Sequence, residues 1–509
     1  MRILCLGNNT ENTDHLTRAL AKANQMQCHG LLSELDQPFD TLDYSQEGYY
    51  HTTVVDIQTG NLKQLMARFD KVIMLDQPLS QWNHPHEFHN TIKIMKSTTT
   101  AVEFLNADAT KPAELFEDLL KTNKSFCIFP FIQLHTTYDH AQLCCRSAKP
   151  VTKLKDLKDF STDPSYQRIR ESMLNGELLS DYCWDCYGRE SQGIVSARLS
   201  ETTEWAYRLG VKTLGDLTSI TKPAFYDIRP SNKCNLTCRM CNPNDSHLIE
   251  KEYKKLKLVV PIKATTATTA VDKHQRDSFD LVEFDNIKKL LVAGGEPTIM
   301  PEFFEFLEKC IDTGNTDFEV NVTTNGTNLS QRLKKLVKQF SDFSWVFSID
   351  GYDQLNYYSR YPSDWNKIVE NWHYHRSQKN PVTVNTTINI YNIDTLDVLF
   401  RWIDQEFPNT LISCTSLFSP PSLDPLLFPD RNAVLQSLER VTHTNCYKNN
   451  EMLATTIDSL YQKFEDRTEV DSVLLKEFFE FNDLLDQNRK VYLKDYVPNL
   501  DRHREQYSV

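Results

Sequence analysis

Three cysteines at close spacing are the chemistry-bearing feature of this chain. Cys234, Cys238 and Cys241 stand in the run Ser231-Asn232-Lys233-Cys234-Asn235-Leu236-Thr237-Cys238-Arg239-Met240-Cys241. Cys238 and Cys241 are three apart, so one helical turn would present both thiolates on one face, with Cys234 on the loop upstream. Such a trio is a chance grouping, part of a zinc knuckle, or the ligand set of a cubane iron–sulfur cluster, which normally takes four thiolates. No obvious fourth ligand accompanies it, which leaves one iron open. An open coordination position is what separates a reactive metal site from a sealed structural one. A second group, Cys127, Cys144, Cys145, Cys183 and Cys186, lies upstream among aromatics and polar turns.

The rest of the composition agrees with metal chemistry inside a globular protein. Thirteen cysteines in 509 residues is an odd number in a large chain, unlike the disulfide framework of a small secreted domain. A net charge of −13 with no basic stripe argues against nucleic acid and against an anionic membrane surface as partners. No run of 18 or more apolar residues occurs, and MRILCLGNN reads as a first strand rather than a leader. The expectation is a soluble, cytoplasmic protein of two or three domains.

Elements that position the cysteines follow from periodicity. Residues 1–120 open with the strand RILCLG, a helical run Thr13–Ala23, the helical NLKQLMARF and the strand DKVIMLDQ, which together predict a small N-terminal α/β (Rossmann-like) domain. Gly7-Asn8-Asn9 is not GxGxxG, so a docking or scaffold role is preferred there over dinucleotide binding. Over 222–425, the strands AFYDIRP, KLLVAG, FEVNVTT, WVFSID, VTVNTTINI and TLISCTS alternate with helical runs such as EFFEFLEKCID and LSQRLKKLVKQF. About six such units predict a partial (β/α)6 TIM-like barrel with ligands at the C-terminal ends of its strands. The Thr-rich stretch 263–277 breaks the alternation and reads as a mobile insertion, and 426–509 reads as a helical C-terminal region. The fold class is therefore α/β.

The motif at 234–241, directly after the first barrel strand, resembles that of the radical S-adenosylmethionine superfamily. The resemblance implies a catalytic [4Fe–4S] cluster on Cys234, Cys238 and Cys241, whose open iron chelates S-adenosylmethionine. Reductive cleavage of that cofactor would yield a 5′-deoxyadenosyl radical for hydrogen abstraction. Met240 stands where the family usually has an aromatic, and a thioether can pack on an adenine edge. Gly294-Gly295-Glu296-Pro297 matches the family's GGEP segment, where the glutamate takes the cofactor's amino group. Asn325 in Thr323-Thr324-Asn325-Gly326, Ser348 and Asp350 in Ser348-Ile349-Asp350-Gly351, and Asn385 with Asn392 resemble further cofactor-binding strand ends.

Residues 121–205 resemble the twitch module, the truncated form of the SPASM domain, although that module more often follows the barrel and His140 replaces its usual turn glycine. The resemblance implies a second [4Fe–4S] cluster on Cys127, Cys145, Cys183 and Cys186, with Cys144 as alternate to Cys145 and zinc as the competing occupant. Glu190-Ser191-Gln192-Gly193 and Ser196-Ala197-Arg198 continue the pattern, with Arg198 able to pair an acid; the Asp486 and Arg489 stretch is less specific. The family further implies a ferredoxin or flavodoxin reductant and a peptide or protein substrate. A carbohydrate, a nucleoside or an RNA substrate, or a non-catalytic iron–sulfur or zinc protein, are the alternatives. His51, His84, His86, His89, His373 and His375 lack partners at ligand spacing, Arg360 is a candidate for the barrel mouth, and Cys5, Cys28, Cys310, Cys414 and Cys446 read as small buried side chains.

Overall fold

The structure is a computed structural model. It describes residues 2–7, 28–31, 48–53, 71–75, 92–95, 112–137, 139–147, 149–191, 195–258, 278–417 and 419–507. The helical runs expected near Thr13–Ala23 and NLKQLMARF, the loop after Gly7, the histidines 84, 86 and 89, and the stretch 263–277 lie outside the described residues. The chain forms two compact units, Met1–Lys111 and Pro112–Val509.

In the first unit, β1 (Arg2–Gly7), β2 (Cys28–Leu31), β3 (Gly48–Thr53), β4 (Lys71–Leu75) and β5 (Ile92–Met95) form a parallel sheet. Its order is β2-β3-β1-β4-β5.

The second unit is built on a nine-stranded sheet. Its strands are β6 (Gln133–Thr137), β7 (His140–Gln142), β8 (Thr152–Lys153), β9 (Phe225–Arg229), β10 (Lys289–Val292), β11 (Glu319–Thr324), β12 (Asp342–Ser348), β13 (Val382–Ile388) and β14 (Ile412–Ser416). The order is β14-β13-β12-β11-β10-β9-β6-β7-β8. Strands β9 to β14 are the six expected from the sequence, paired in parallel in chain order. They form because apolar and polar residues alternate: in β12 Phe343, Trp345 and Phe347 are buried while Ser344 and Val346 are half-buried. The buried set faces the helix Trp365–Ser377, where Trp345 meets His375 at 4.4 Å and Phe347 meets Trp372 at 5.8 Å. His375 is thus a core residue, and burial pushes its pKa down to about 3.

The helix Pro301–Asp312 starts on a proline at its first turn and buries Phe303, Phe304, Phe306, Leu307 and Cys310. Helices cover 431–442, 451–466 and 472–489, as the C-terminal periodicity predicts. Strands β6 to β8 were not legible in the sequence. β6 lies parallel to β9, Thr136 opposite Ile228, so the cysteine-rich segment is part of the same nine-stranded sheet. Among the described residues no helix is long and apolar enough to cross a membrane.

Candidate active site

The three-cysteine loop leaves the end of β9 and runs through turns to the helix His247–Leu256. Cys238 and Cys241 are joined by a single turn, Cys241 N–H donating to Cys238 O at 3.2 Å, rather than by a helix. Cys234 is held by its N–H to His247 Nδ1 at 3.2 Å, and its sulfur accepts from Leu236 N–H at 3.5 Å. Burial pushes the Cys234 thiol up to about 12, with Cys238 adding to the shift. Burial also raises Cys241 well above the usual thiol range, with Asp245, Cys238 and Cys234 reinforcing it, so the three sulfurs feel one another. Burial lifts Cys238 too, and the Arg360 guanidinium is the strongest influence opposing it.

The GGEP segment follows β10 and touches this loop along the backbone. Gly294 has φ +100°, which only glycine adopts without strain. A Cβ on Gly295 would stand 2.2 Å from Lys233 O, so the close approach this glycine permits is that of the cysteine loop itself. Gly295 N–H donates to Ser231 O at 3.0 Å and Glu296 N–H to Lys233 O at 2.8 Å. The Glu296 carboxylate is 1% exposed and already held by protein donors. Its Oε1 accepts from Thr298 N–H at 3.1 Å, Thr298 Oγ1 at 2.6 Å and Thr324 Oγ1 at 2.7 Å. Its Oε2 accepts only from Asn325 N–H, at 2.7 Å, which leaves acceptor capacity on that oxygen. Burial raises the Glu296 pKa against those four donors. Pro297 starts the short 3-10 turn that follows.

The other strand ends converge on the same rim, mostly as braces. Asn325 Nδ2 donates to Asn235 Oδ1 at 2.8 Å, and Asn235 Nδ2 to Thr327 Oγ1 at 2.9 Å, tying the β11 end to the cysteine loop. Asp350 is fully buried; its Oδ1 accepts Thr387 N–H at 2.7 Å and its Oδ2 lies 2.7 Å from Arg360 Nε. Arg360 is thus held by Asp350, and its charge reaches Cys238. Ser348 and Asn385 are register partners on β12 and β13. Asn392 is a loop staple, its amide donating to Asp350 O at 2.8 Å and Thr387 O at 2.9 Å. The half-buried Met240 packs against the core.

Four of the upstream cysteines are brought together elsewhere in the same unit. Cys127, Cys144, Cys183 and Cys186 line one cavity, together with Arg146 and Arg198. Of the expected set, Cys127, Cys183 and Cys186 line this cavity with the alternate Cys144, and Cys145 is not among its lining residues. The two are adjacent in a bend, so their side chains diverge, and the electrostatic neighbours of Cys145 are Asp227, Arg229 and Arg146. Burial pushes Cys183 up to about 12, with Cys144 and Cys186 adding to it. Arg198 does pair an acid: it is 2% exposed, donates to Glu190 Oε1 at 2.9 Å and to Phe126 O at 2.8 Å. Among the described residues no three His, Cys, Asp or Glu side chains stand close enough together to hold a metal ion as they are placed.

Residues 228–403 match the Radical SAM superfamily. The chain carries a radical SAM domain. The matched span takes in the cysteine loop, the GGEP segment and the ends of β11 to β13, and such a domain supports an enzyme. The uncharacterized protein MJ0907 of Methanocaldococcus jannaschii is 26% identical over 129 residues, 24% of this chain and 37% of that relative. The chain thus matches little more than a third of that relative's length. Among solved structures, Streptococcus suis SuiB bound to S-adenosylmethionine is similar at 14% identity and TM-score 0.29, covering 55% of this chain and 58% of that one. AnSMEcpe with AdoMet and a Cp18Cys peptide is similar at 15% identity and TM-score 0.29, covering 42% and 58%. At those scores the sequence match to the radical SAM domain carries the assignment.

What the sequence did not reveal around this domain is its support. His247 holds the Cys234 backbone, while Arg239 is buried beneath the cysteine turn against Tyr358, Asn482 and Asp486. The signals were the place of Arg239, between two ligand candidates, and the less specific Asp486 and Arg489 stretch.

Proposed function

We propose that this protein is a radical S-adenosylmethionine enzyme in which Cys234, Cys238 and Cys241 hold a [4Fe–4S] cluster. The observation that carries it is the interlock between the cysteine loop and the GGEP segment at Gly295 and Glu296, inside a span matching the Radical SAM superfamily. The donor set fits the group in its chemistry: three thiols on one short loop, with Cys241 close enough to sense both Cys238 and Cys234, are the ligands an iron–sulfur cube takes. Bound there, cluster and S-adenosylmethionine supply the electron and the adenosyl group with which a hydrogen atom is taken from substrate.

This chain's own residues bind and orient. Glu296 offers Oε2 to the cofactor's ammonium, while its other bonds fix the carboxylate in place. Gly294, Pro297, Asn325, Ser348, Asp350 and Asn385 shape the cofactor rim, and Met240 backs the loop beneath it. Burial favours the thiol over the thiolate at Cys234, Cys238 and Cys241, so loading the cluster would release protons.

We extend the reading to a second [4Fe–4S] cluster on Cys127, Cys144, Cys183 and Cys186, with zinc as the competing occupant. A peptide or protein side chain is the proposed substrate, on the resemblance of 121–205 to the twitch module, and a ferredoxin or flavodoxin the reductant.

Anaerobic reconstitution followed by metal analysis and chromatography tests this. The wild type should hold about eight irons and form 5′-deoxyadenosine with dithionite. Cys234→Ala should lose about four irons and all product, and Cys183→Ala about four irons from the other site. A cluster-loaded wild type that makes no 5′-deoxyadenosine refutes the enzyme.

A further inference from the structure

The cysteine loop has neither helix nor strand of its own, and its anchor comes from the far end of the chain. Arg239, between Cys238 and Cys241, is 1% exposed. Its Nε donates to Tyr358 O at 3.0 Å, one Nη to Asn482 Oδ1 at 2.8 Å and the other to Asp486 Oδ1 at 2.6 Å. The Tyr358 ring lies against the guanidinium at 3.6 Å, and its hydroxyl donates to Asp486 Oδ1 at 3.0 Å. Asp486 Oδ2 accepts Leu493 N–H at 2.6 Å, so that carboxylate is fully engaged. Asn482 and Asp486 belong to the helix Ser472–Arg489. The same helix grips the element after the loop: Arg489 pairs with Glu252, and Asn488 Nδ2 donates to Glu252 Oε1 at 2.8 Å. The loop backbone is held as well, Thr237 N–H to Tyr361 O at 2.6 Å and Arg239 N–H to Ser359 O at 2.7 Å.

We propose that the helix Ser472–Arg489 is the positioning element of the three-cysteine loop, with Arg239 and Asp486 its positioning residues and Arg489–Glu252 the second point of attachment. The proposal rests on the reading of that loop as the cluster site, but the placement of its thiols can be measured without a cluster. A buried ion pair is a poor source of net stability, because desolvation offsets the attraction. Removing one partner, however, strands a charge in the interior, so the pair tolerates only the arrangement in which every donor is met. Three acceptors on two segments fix the guanidinium at one point, and the cysteines flanking it are placed with it. Apolar packing alone would let an irregular loop slide.

The experiment is site-resolved alkylation of metal-free protein by iodoacetamide, read by peptide mass spectrometry, with Cys310 in the core as internal reference. Asp486→Asn and Arg239→Lys should each speed alkylation of Cys238 and Cys241 by about tenfold or more through local opening, with Cys310 unchanged. In loaded protein the same variants should shift the midpoint potential and the electron paramagnetic resonance signal of the reduced cluster. Rates at Cys238 and Cys241 equal to wild type in both variants overturn the proposal. If either variant also opens Cys310, Arg489→Lys decides, since it leaves Arg239 and Asp486 in place: faster Cys241 alone supports the anchor, and no change overturns it. A wild type that takes up no iron sinks the cluster reading instead, and the alkylation comparison still stands.

Discussion

Gly295→Ala probes the interlock that joins the two halves of the site. The added methyl carbon would lie 2.2 Å from Lys233 O, 2.6 Å from Lys233 C and 2.8 Å from Asn232 C, all backbone atoms that no rotamer change can move. Restoring ordinary contact requires the cysteine loop to retreat by about 1.2 Å, an overpacking strain of about 1–3 kcal/mol. That retreat stretches two hydrogen bonds, Gly295 N–H to Ser231 O at 3.0 Å and Glu296 N–H to Lys233 O at 2.8 Å. Each contributes about 1 kcal/mol, so the total loss is about 3–5 kcal/mol. The loss is confined to the region between β10 and the cysteines. Gly314→Ala is the control: its φ is +73° but nothing lies within 4 Å, so only the left-handed backbone cost of about 1–2 kcal/mol applies. Thermal unfolding, with iron content after reconstitution, reads both. The expected outcome is a larger fall in the unfolding midpoint for Gly295→Ala, and loss of the iron that depends on Cys234. A Gly295→Ala protein as stable as wild type and equally loaded with iron would refute the reasoning.

Two further outcomes follow from the geometry. Cys144→Ala should abolish metal uptake at the upstream site while Cys145→Ala leaves it intact, as read by metal content; the reverse pattern would return Cys145 to the ligand set. Asp394 is pushed up to about 6 by burial, from an ordinary value of 3.8. The folded carboxyl keeps a proton that the unfolded chain has released, so stability is full below the lower value and falls as pH rises towards the upper. The loss is about 3 kcal/mol. Asp394→Asn should therefore be more stable than wild type at pH 7 and little different at pH 3.5, by denaturant unfolding; equal gains at both would exclude this linkage.

Much of the fold was legible because its signals are local. Strand β12 shows its alternation within DFSWVFS, and Pro301 announces the start of a helix. The strand-end residues Asn325 and Asp350 were visible as turn formers at repeated positions, and Glu296 through the Gly-Gly-Glu-Pro segment it stands in. Their first partners were not, since Glu296 spends most of its capacity on Thr298, Thr324 and Asn325. The choice between Cys144 and Cys145 turns on a bend that composition does not encode. Strand β6 was hidden because Gln133, His135 and Thr136 are polar yet buried; His135 Nδ1 lies 2.8 Å from Asp227 Oδ2 and, despite burial, holds that carboxyl below its usual range. Arg239 and Asp486 stand 247 residues apart, and no spacing rule reaches that far.

The parallel seam between Gln133–Thr137 and Phe225–Arg229 governs how this protein can be dissected. A fragment beginning at the first barrel strand would bare a row of unpaired backbone donors and acceptors along Phe225–Arg229, the kind of raw margin that recruits foreign strands. The upstream cysteines cannot be excised as an accessory without fraying the scaffold from which the other three hang.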